Sequence, residues 1–497
     1  MTVVLMALVP SVSGAQGAGA PTGRCTLQFA ADHALNSIRL PSGQRNAFTG
    51  GNVVARCPAQ GLVLKSDSLE SYGDDGRIVF IGHADYSEPR LKLTADAITY
   101  FQRDERLLAV QNVNARLPTG STLRGPQVEF LRAVPRVRPQ QTVNATGRPT
   151  VSLVERDAQG RAQPPVQVTG ATIFLKGDSI VSAVGDVVVV RPELTATGDS
   201  LYVDSGLGLL RIMRSPKITG TKGRPFTLVG ETIDLLTRRK KLDRVLAKNV
   251  AVATSEDLTM RSDTIDLRVI DDLLSRATAW GKSRARATSL TQTMLADSID
   301  VVMPSQRIRE LYAVRGASAE GAPDTTKFRT SERDRLTGDT IIARFDTVPA
   351  RDTVRKPRIT QLVAIGSKSS LATSLQHLPP RDTALCVPAV NYVRGRLITI
   401  AFDSAKVSTV VVKDQDQAGG IYVEPNADST ARCRPIAASV SPPGAPAGGG
   451  VRATPSPSKP AAPSTPPPST PGRTPGRTPV RTPAAVAPAS APVVRRP

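Results

Sequence analysis

Residues able to do catalysis or bind metal are few and scattered in this chain. There are three histidines, His33, His83 and His377, and four cysteines, Cys25, Cys57, Cys386 and Cys433. No Ser/His/Asp order, HExxH pair or phosphate-cradling glycine loop is present, and the cysteine spacing fits no zinc pattern. His83 follows Gly82 and reads as a turn residue. What does recur is an acid: Asp67, Asp96, Asp199, Glu231, Asp263, Asp297 and Asp339, with a mid-array spacing of 32 to 34 residues. Stacked repeats would align these acids in a ladder. Two carboxyls about 5 Å apart suit a retaining glycosidase, and a ladder of carboxylates suits calcium. Catalysis, however, needs acids to converge at one repeat, and these are spread evenly. They are therefore read as structural groups that cap turns or pair with arginine, with calcium as the alternative. Ser68, Ser200 and Ser298 follow repeat acids but alternate with Thr232 and Thr264, which fits strand polarity rather than a nucleophile. No catalytic residue, metal or cofactor is expected, and the chain is read as non-enzymatic.

The acids sit inside an octapeptide of the form apolar, any, small, acidic, any, apolar, any, apolar. It occurs at Leu64–Ser71, Leu93–Tyr100, Ala196–Val203, Leu228–Leu235, Met260–Leu267, Met294–Val301 and Leu336–Ala343. Degenerate copies are Leu123–Phe130, Val168–Leu175 and Val393–Ile400. Leu93 and Ala95 share one parity, Ile98 and Tyr100 the other. Strand side chains alternate faces, so an apolar face that changes parity requires a bulge or bend at the small-acidic pair. The spacing is not the 3, 4, 7 pattern of an amphipathic helix. A weaker element follows several copies and ends in Ala before Asn or Gly, as at Ala247–Asn249, Ala279–Gly281 and Ala364–Gly366. The reading is all-β: elongated, stacked, V-shaped antiparallel strands whose apolar side chains face one interior. Its lining is expected to include Ile98, Tyr100, Leu201, Val203, Ile233, Leu235, Ile265, Leu267, Ile299 and Val301. An ordinary dry core is the alternative to a binding interior.

Composition agrees. Aromatics are 4% with a single Trp, Trp280, while Val, Ile, Leu and Thr carry the apolar content, which suits a thin β core. The formal net charge is +21; seven Lys and Arg and no acid lie in 441–497, which leaves +14 on 1–440. A basic balance admits anionic lipid head groups, phosphorylated sugars or nucleic acid. Nucleic acid is disfavoured because no binding motif or aromatic stacking set appears. The opening MTVVLMALVPSVSGAQG has an apolar run and small residues at a cleavage-like site, so 1–15 reads as a signal peptide lacking a basic start. No later apolar run is long enough to span a bilayer as a helix. Export favours disulfides, and the sequence-local pairs would be Cys25–Cys57 and Cys386–Cys433, with free thiols as the alternative. Residues 133–165 and 321–335 read as long loops. Residues 441–497, rich in Pro, Ala, Thr and Arg, are read as a disordered tail.

The repeat resembles the OstA-like, or lipopolysaccharide-transport bridge, family. The resemblance rests on Leu93-Thr94-Ala95-Asp96 with Tyr100, the following Gln111-Asn112-Val113, and the turn Gly51-Asn52-Val53. It is closest over 25–135, with 166–425 a diverged continuation. It implies an open-ended β-jellyroll with a continuous apolar interior for acyl chains. It also implies a place in the periplasm, lipopolysaccharide or a related anionic lipid as ligand, envelope transport proteins as partners, and end-to-end stacking of strands between copies. This chain is longer than the short bridge proteins and carries the Pro-rich tail. A structural or adhesive β-solenoid of the cell envelope is the second reading, and a polysaccharide-active β-helix enzyme the third.

Overall fold

The computed structural model describes residues 27–134, 136–154, 156, 159–346, 357–403, 406–415 and 419–426. All of these belong to one compact unit, Met1–Arg434; a second unit, Pro435–Pro497, lies outside the described residues. So do the signal-peptide reading at 1–15, Cys25, Cys433 and the tail read at 441–497.

The described chain is all-β. It forms a single sheet of 30 strands, and its only helical pieces are the 3-10 turns Pro58–Gln60 and Pro304–Gln306. Strands pair antiparallel with their sequence neighbours. Fourteen strands run through a mid-strand register shift unbroken, and the other sixteen join in eight pairs across the same corner, giving twenty-two bent strands. Every bent strand therefore contributes one segment to each of two walls. In Leu91–Phe101, for example, Leu91–Ala95 lies in wall A and Ala97–Phe101 in wall B.

The parity switch in the octapeptide is the cause. Leu91, Leu93 and Ala95 are buried on one side of Asp96, and Ile98 and Tyr100 on the other. The chain folds about the corner and both sets of side chains meet in one apolar cluster. At most corners the bend is completed by the following strand, which carries two consecutive left-handed residues opposite the octapeptide's acidic position; the strands after Asp263 and Asp339 carry none. Examples are Gly82-His83 (φ 78 and 44), Gln111-Asn112 (φ 62 and 52), Asn249-Val250 (φ 59 and 51) and Arg315-Gly316 (φ 66 and 55). This doubly positive φ is type I′ turn geometry, which Gly and Asn adopt at little cost.

The stretch read as a loop at 133–165 differs from expectation. It carries the strands Thr142–Thr146 and Thr150–Leu153, which together form one more bent strand around Gly147-Arg148. The strands are short and their signal was hidden by the flanking prolines. The segment 321–335 is a loop up to Asp334, anchored by the buried Phe328.

Candidate functional site

The interior of the two walls is the candidate site. All ten residues expected to line it are buried, from fully inaccessible Ile98, Ile233, Ile265 and Ile299 to Val203 at 9% exposure. All ten lie on the inner face of wall B. Backbone register strings them together: Ile98 faces Ala109, Ile233 faces Ala247, and Ala247 faces Ile265. Ile265 then faces Ala279, Ala279 faces Ile299, and Ile299 faces Ala313. The alanine of the weaker sequence element is thus the register partner of the octapeptide's isoleucine. From Ile233 onward large and small side chains alternate along one row, which continues through Ile341 and Ala364 to Ile398. At about 4.8 Å per strand the row is tens of ångströms long.

At the corner, six of the seven repeat acids accept hydrogen bonds or ion pairs from the corner residues of the next strand, which in five of the six are a left-handed pair. His83 Nδ1 lies 2.8 Å from Asp67, and Asn112 donates to Asp96 at 2.8 Å. Arg214 meets Asp199 at 3.0 Å, and Asn249 donates to Glu231 at 2.9 Å. The backbone N–H groups of Lys282 and Ser283 bond Asp263 at 2.5 and 2.8 Å, and Arg315 lies 3.4 Å from Asp297. Hydrogen bonding from Ser283 and Lys282 holds the Asp263 carboxyl below the usual range, and the bond to Asp67 raises the His83 imidazole. The acids are turn caps. Among the described residues, no group of three His, Cys, Asp or Glu side chains is arranged to hold a metal ion.

The outer face of wall B carries charges that sequence reading did not single out. Asp234, Asp266 and Asp300 occupy the same octapeptide position and take Arg211, Arg244 and Arg276, each with an Nε–Oδ1 distance of 2.7 Å. Asp266 is 6% exposed despite pointing outward. Burial alone would raise Asp234, but hydrogen bonds from Arg211 and Lys248 outweigh it and hold the carboxyl low. The recurrence of Ile-Asp-Leu or Ile-Asp-Val in three repeats, each with an arginine 22 to 24 residues away, was the available signal. His377 was also missed: its ring is bracketed by Asp334 at 3.0 Å and Glu332 at 2.9 Å.

Opposite the corner, the strand ends form a mouth between the walls. Strand pairing stays within each wall, and among the described residues the contacts found across the mouth are made by side chains. Arg132 from wall B reaches Glu88 of wall A at 3.0 Å, bonds Gln60, and also holds Glu105 of its own wall at 3.0 Å. Tyr86 and Tyr100 donate to Glu88 and Glu105 at 2.9 and 3.0 Å. Burial, reinforced by these carboxylates, drives both phenols well above their ordinary pKa. Further along, Lys222 of wall A meets Asp272 of wall B at 2.8 Å. Gln306 of wall B accepts from the Arg224 N–H at 2.5 Å and donates to the Lys222 carbonyl at 3.2 Å. A third clasp joins Asp324 and Lys406 at 3.1 Å.

Cys57 and Cys386 are each disulfide-bonded. Cys25 and Cys433 lie outside the described residues, so the pairing stays a proposal. No helix among the described residues is long and apolar enough to cross a membrane.

No protein-family model matches the chain, and no curated protein matches it. Among solved structures it is similar to LptH, described as the LptA homologous periplasmic component of the conserved lipopolysaccharide transport device from Pseudomonas aeruginosa. The match has 17% sequence identity, covers 25% of this chain and 97% of that one, and has a TM-score of 0.20, too low to carry an argument about function.

Proposed function

We propose that this chain carries an amphiphilic lipid, its acyl chains lodged between the two walls, as a non-enzymatic bridge across an aqueous gap. The observation that carries this reading is the mouth: a continuous apolar interior runs through the repeats, and the contacts found across its open side are side-chain clasps. Walls so joined can part locally without breaking a backbone ladder. Sheltering an acyl chain from water is favourable by about 0.8 kcal/mol per CH₂, so a carrier needs this kind of interior. The repeat's resemblance to the lipopolysaccharide-transport bridge family supports lipopolysaccharide or a related anionic lipid as the cargo, a periplasmic setting and envelope transport partners.

A second reading, a structural β-solenoid, is favoured by the complete burial of the isoleucine row. A closed, dry core needs no ligand. The two readings separate in a photocrosslinking experiment on the full chain. A crosslinker at Ile265, fully buried on the inner row, is expected to capture lipopolysaccharide. The control is the same substitution at Ile270, on the same strand but 63% exposed. Capture at neither site, or equally at both, in folded protein would leave the structural reading standing.

A further inference from the structure

The two walls differ on the side that faces water. Wall B pairs its outer arginines with carboxylates, as in Arg106 with Glu129, Arg211 with Asp234 and Arg344 with Glu310. Wall A does not. Strand register sets its outward positions in two files. One runs from Lys92 through Arg116, Thr195 and Thr259 to Thr293. The other runs from Thr94 through Arg124, Lys217 and Arg261 to Arg286 and Leu295. Over that length the files hold six cations, Lys92, Arg116, Arg124, Lys217, Arg261 and Arg286, and no acid. All six are exposed, and among the described residues none of them makes an ion pair or a side-chain hydrogen bond. Acids flank the files at the corner, as Asp263 does, or at the mouth, as Asp257 does.

Two placements make this more than a solvated face. First, like charges stand directly opposite: Lys92 faces Arg116, and Arg261 faces Arg286. Cross-strand like charges are destabilising. On wall B, where Arg244 faces Arg268 and Arg268 faces Arg276, the repulsion is offset by Asp266, Asp243 and Asp300. On wall A nothing in the chain offsets it. Second, threonine faces threonine across seven consecutive strands of wall A, from Thr195 to Thr293. At about 4.8 Å per strand this file of hydroxyls is about 30 Å long, and Arg124 and Arg261 stand about 40 Å apart. Thr259 and Thr288 lie beside Arg261 and Arg286, so two hydroxyls and two guanidinium groups share one patch.

An extended anionic partner complements this face. Guanidinium groups bond carboxylate, phosphate and sulfate oxygens two at a time. Threonine hydroxyls both donate and accept hydrogen bonds, as sugar hydroxyls do. A bilayer fits less well, because the two files carry no aromatic side chain and, beyond four valines, only Leu295 to enter the lipid. Nucleic acid fits less well for the same lack of stacking rings. We propose that the outer face of wall A docks an acidic polysaccharide, with its anionic groups on the cations and its hydroxyls on the threonine file. This surface faces away from the interior, so the assignment does not rest on the carrier reading.

The test uses the full chain and polygalacturonate, with the fully methyl-esterified polymer as the uncharged control. Saturable binding of the acid and none of the ester is expected. Arg261→Glu with Arg286→Glu is expected to weaken binding roughly tenfold or more. Arg103→Glu with Arg238→Glu makes the same charge change at exposed positions of wall B and is expected to leave binding within about twofold. Thr227→Val with Thr254→Val keeps two β-branched side chains and removes two facing hydroxyls. It is expected to weaken polygalacturonate roughly threefold and leave binding of a DNA duplex unchanged. The basic segment 441–497 is the same in every arm, so the differences report the face. A photocrosslinker at the exposed Thr254 is expected to capture the polysaccharide, and the same group at Ile270 on wall B is not. This comparison needs no charge substitution and survives a failure of the arginine variant to fold. No saturable binding, equal losses from the two arginine pairs, threonine variants without effect, or capture at Thr254 of lipid from phosphatidylglycerol vesicles in place of the polysaccharide would each overturn the proposal.

Discussion

At the residue scale the corner turn is the unit that matters, because most bends combine a repeat acid with two left-handed residues on the next strand. Most of these positions use residues that tolerate φ above zero: Gly82, Asn52, Asn112 and Gly316. Val250 does not. It is β-branched, sits at φ 51 and is 73% exposed, so its side chain gains little from packing while its backbone is strained. Strain of this kind costs about 1–3 kcal/mol. Val250→Asn, which installs the residue used at Asn52 and Asn112, is expected to stabilise the protein by about 1 kcal/mol. Urea unfolding checks it; a lower midpoint for the variant would show that Val250 is held by something other than the turn. The corner was partly legible in sequence. The acid and its small neighbour marked where the face changes, but the capping partner did not show: it is His, Asn, Arg or a bare N–H in different repeats, and chemistry that varies leaves no pattern.

At the element scale, wall B is held on its outside by cross-strand ion pairs and on its inside by the alternation of isoleucine with alanine. Asp234 represents the first. Its carboxyl is 5% exposed, paired with Arg211 and Lys248, and held below the ordinary value of 3.8. A carboxylate depressed in the folded state adds stability that is fully present above its unfolded pKa and is lost as pH falls through its folded value. Asp234→Asn is therefore expected to cost about 2 kcal/mol at neutral pH, with the difference from the parent shrinking as pH drops below 4. Denaturant unfolding at several pH values reads this directly; a gap that stayed constant into acid would assign the loss to packing rather than charge. The inside row accounts for how much of the lining was readable. A large aliphatic residue at a fixed place in each octapeptide, isoleucine in five of the seven, was visible, and so was the alanine that follows it in several repeats. Their direct opposition was not, because register depends on the two extra residues at each corner.

At the scale of the whole described unit, strands contact only their neighbours, so stability is a sum of local terms and opening need not be global. The Arg132 clasp is the clearest place to see this. Arg132→Met leaves Glu88 without its cation in a site where the arginine is 14% and the glutamate 8% exposed. The expected cost is about 3 kcal/mol, confined to the neighbouring repeats. Hydrogen–deuterium exchange should rise over 86–105 and stay unchanged over 260–300; a uniform rise would mean the array unfolds as one unit. The two disulfide-bonded cysteines lie near opposite ends of the array, Cys57 beside the first strands and Cys386 before the last. If the partners are Cys25 and Cys433, each closes a loop of about 30 to 50 residues and contributes about 3–4 kcal/mol in the loop-entropy model. Non-reducing peptide mapping should recover those two pairs; any other connectivity would remove the picture of separately clamped ends.

The sequence by itself determined that the chain is all-β, where its strands bend, and which side chains go inside. These properties follow from short-range periodicity, which any single repeat displays. The tertiary structure alone decided what the interior is closed with and where it gives way. Arg132 lies 44 residues from Glu88, Lys222 lies 50 from Asp272, and Gln306 lies 82 from Arg224. These partners meet because the walls fold together at the corner, and no local pattern encodes a contact made across the mouth. A cavity at Arg224 and Asp257 belongs to the same class. It is lined by Arg224 and Asp257, 33 residues apart in one wall, and by Met303, Gln306 and Ile308 of the other.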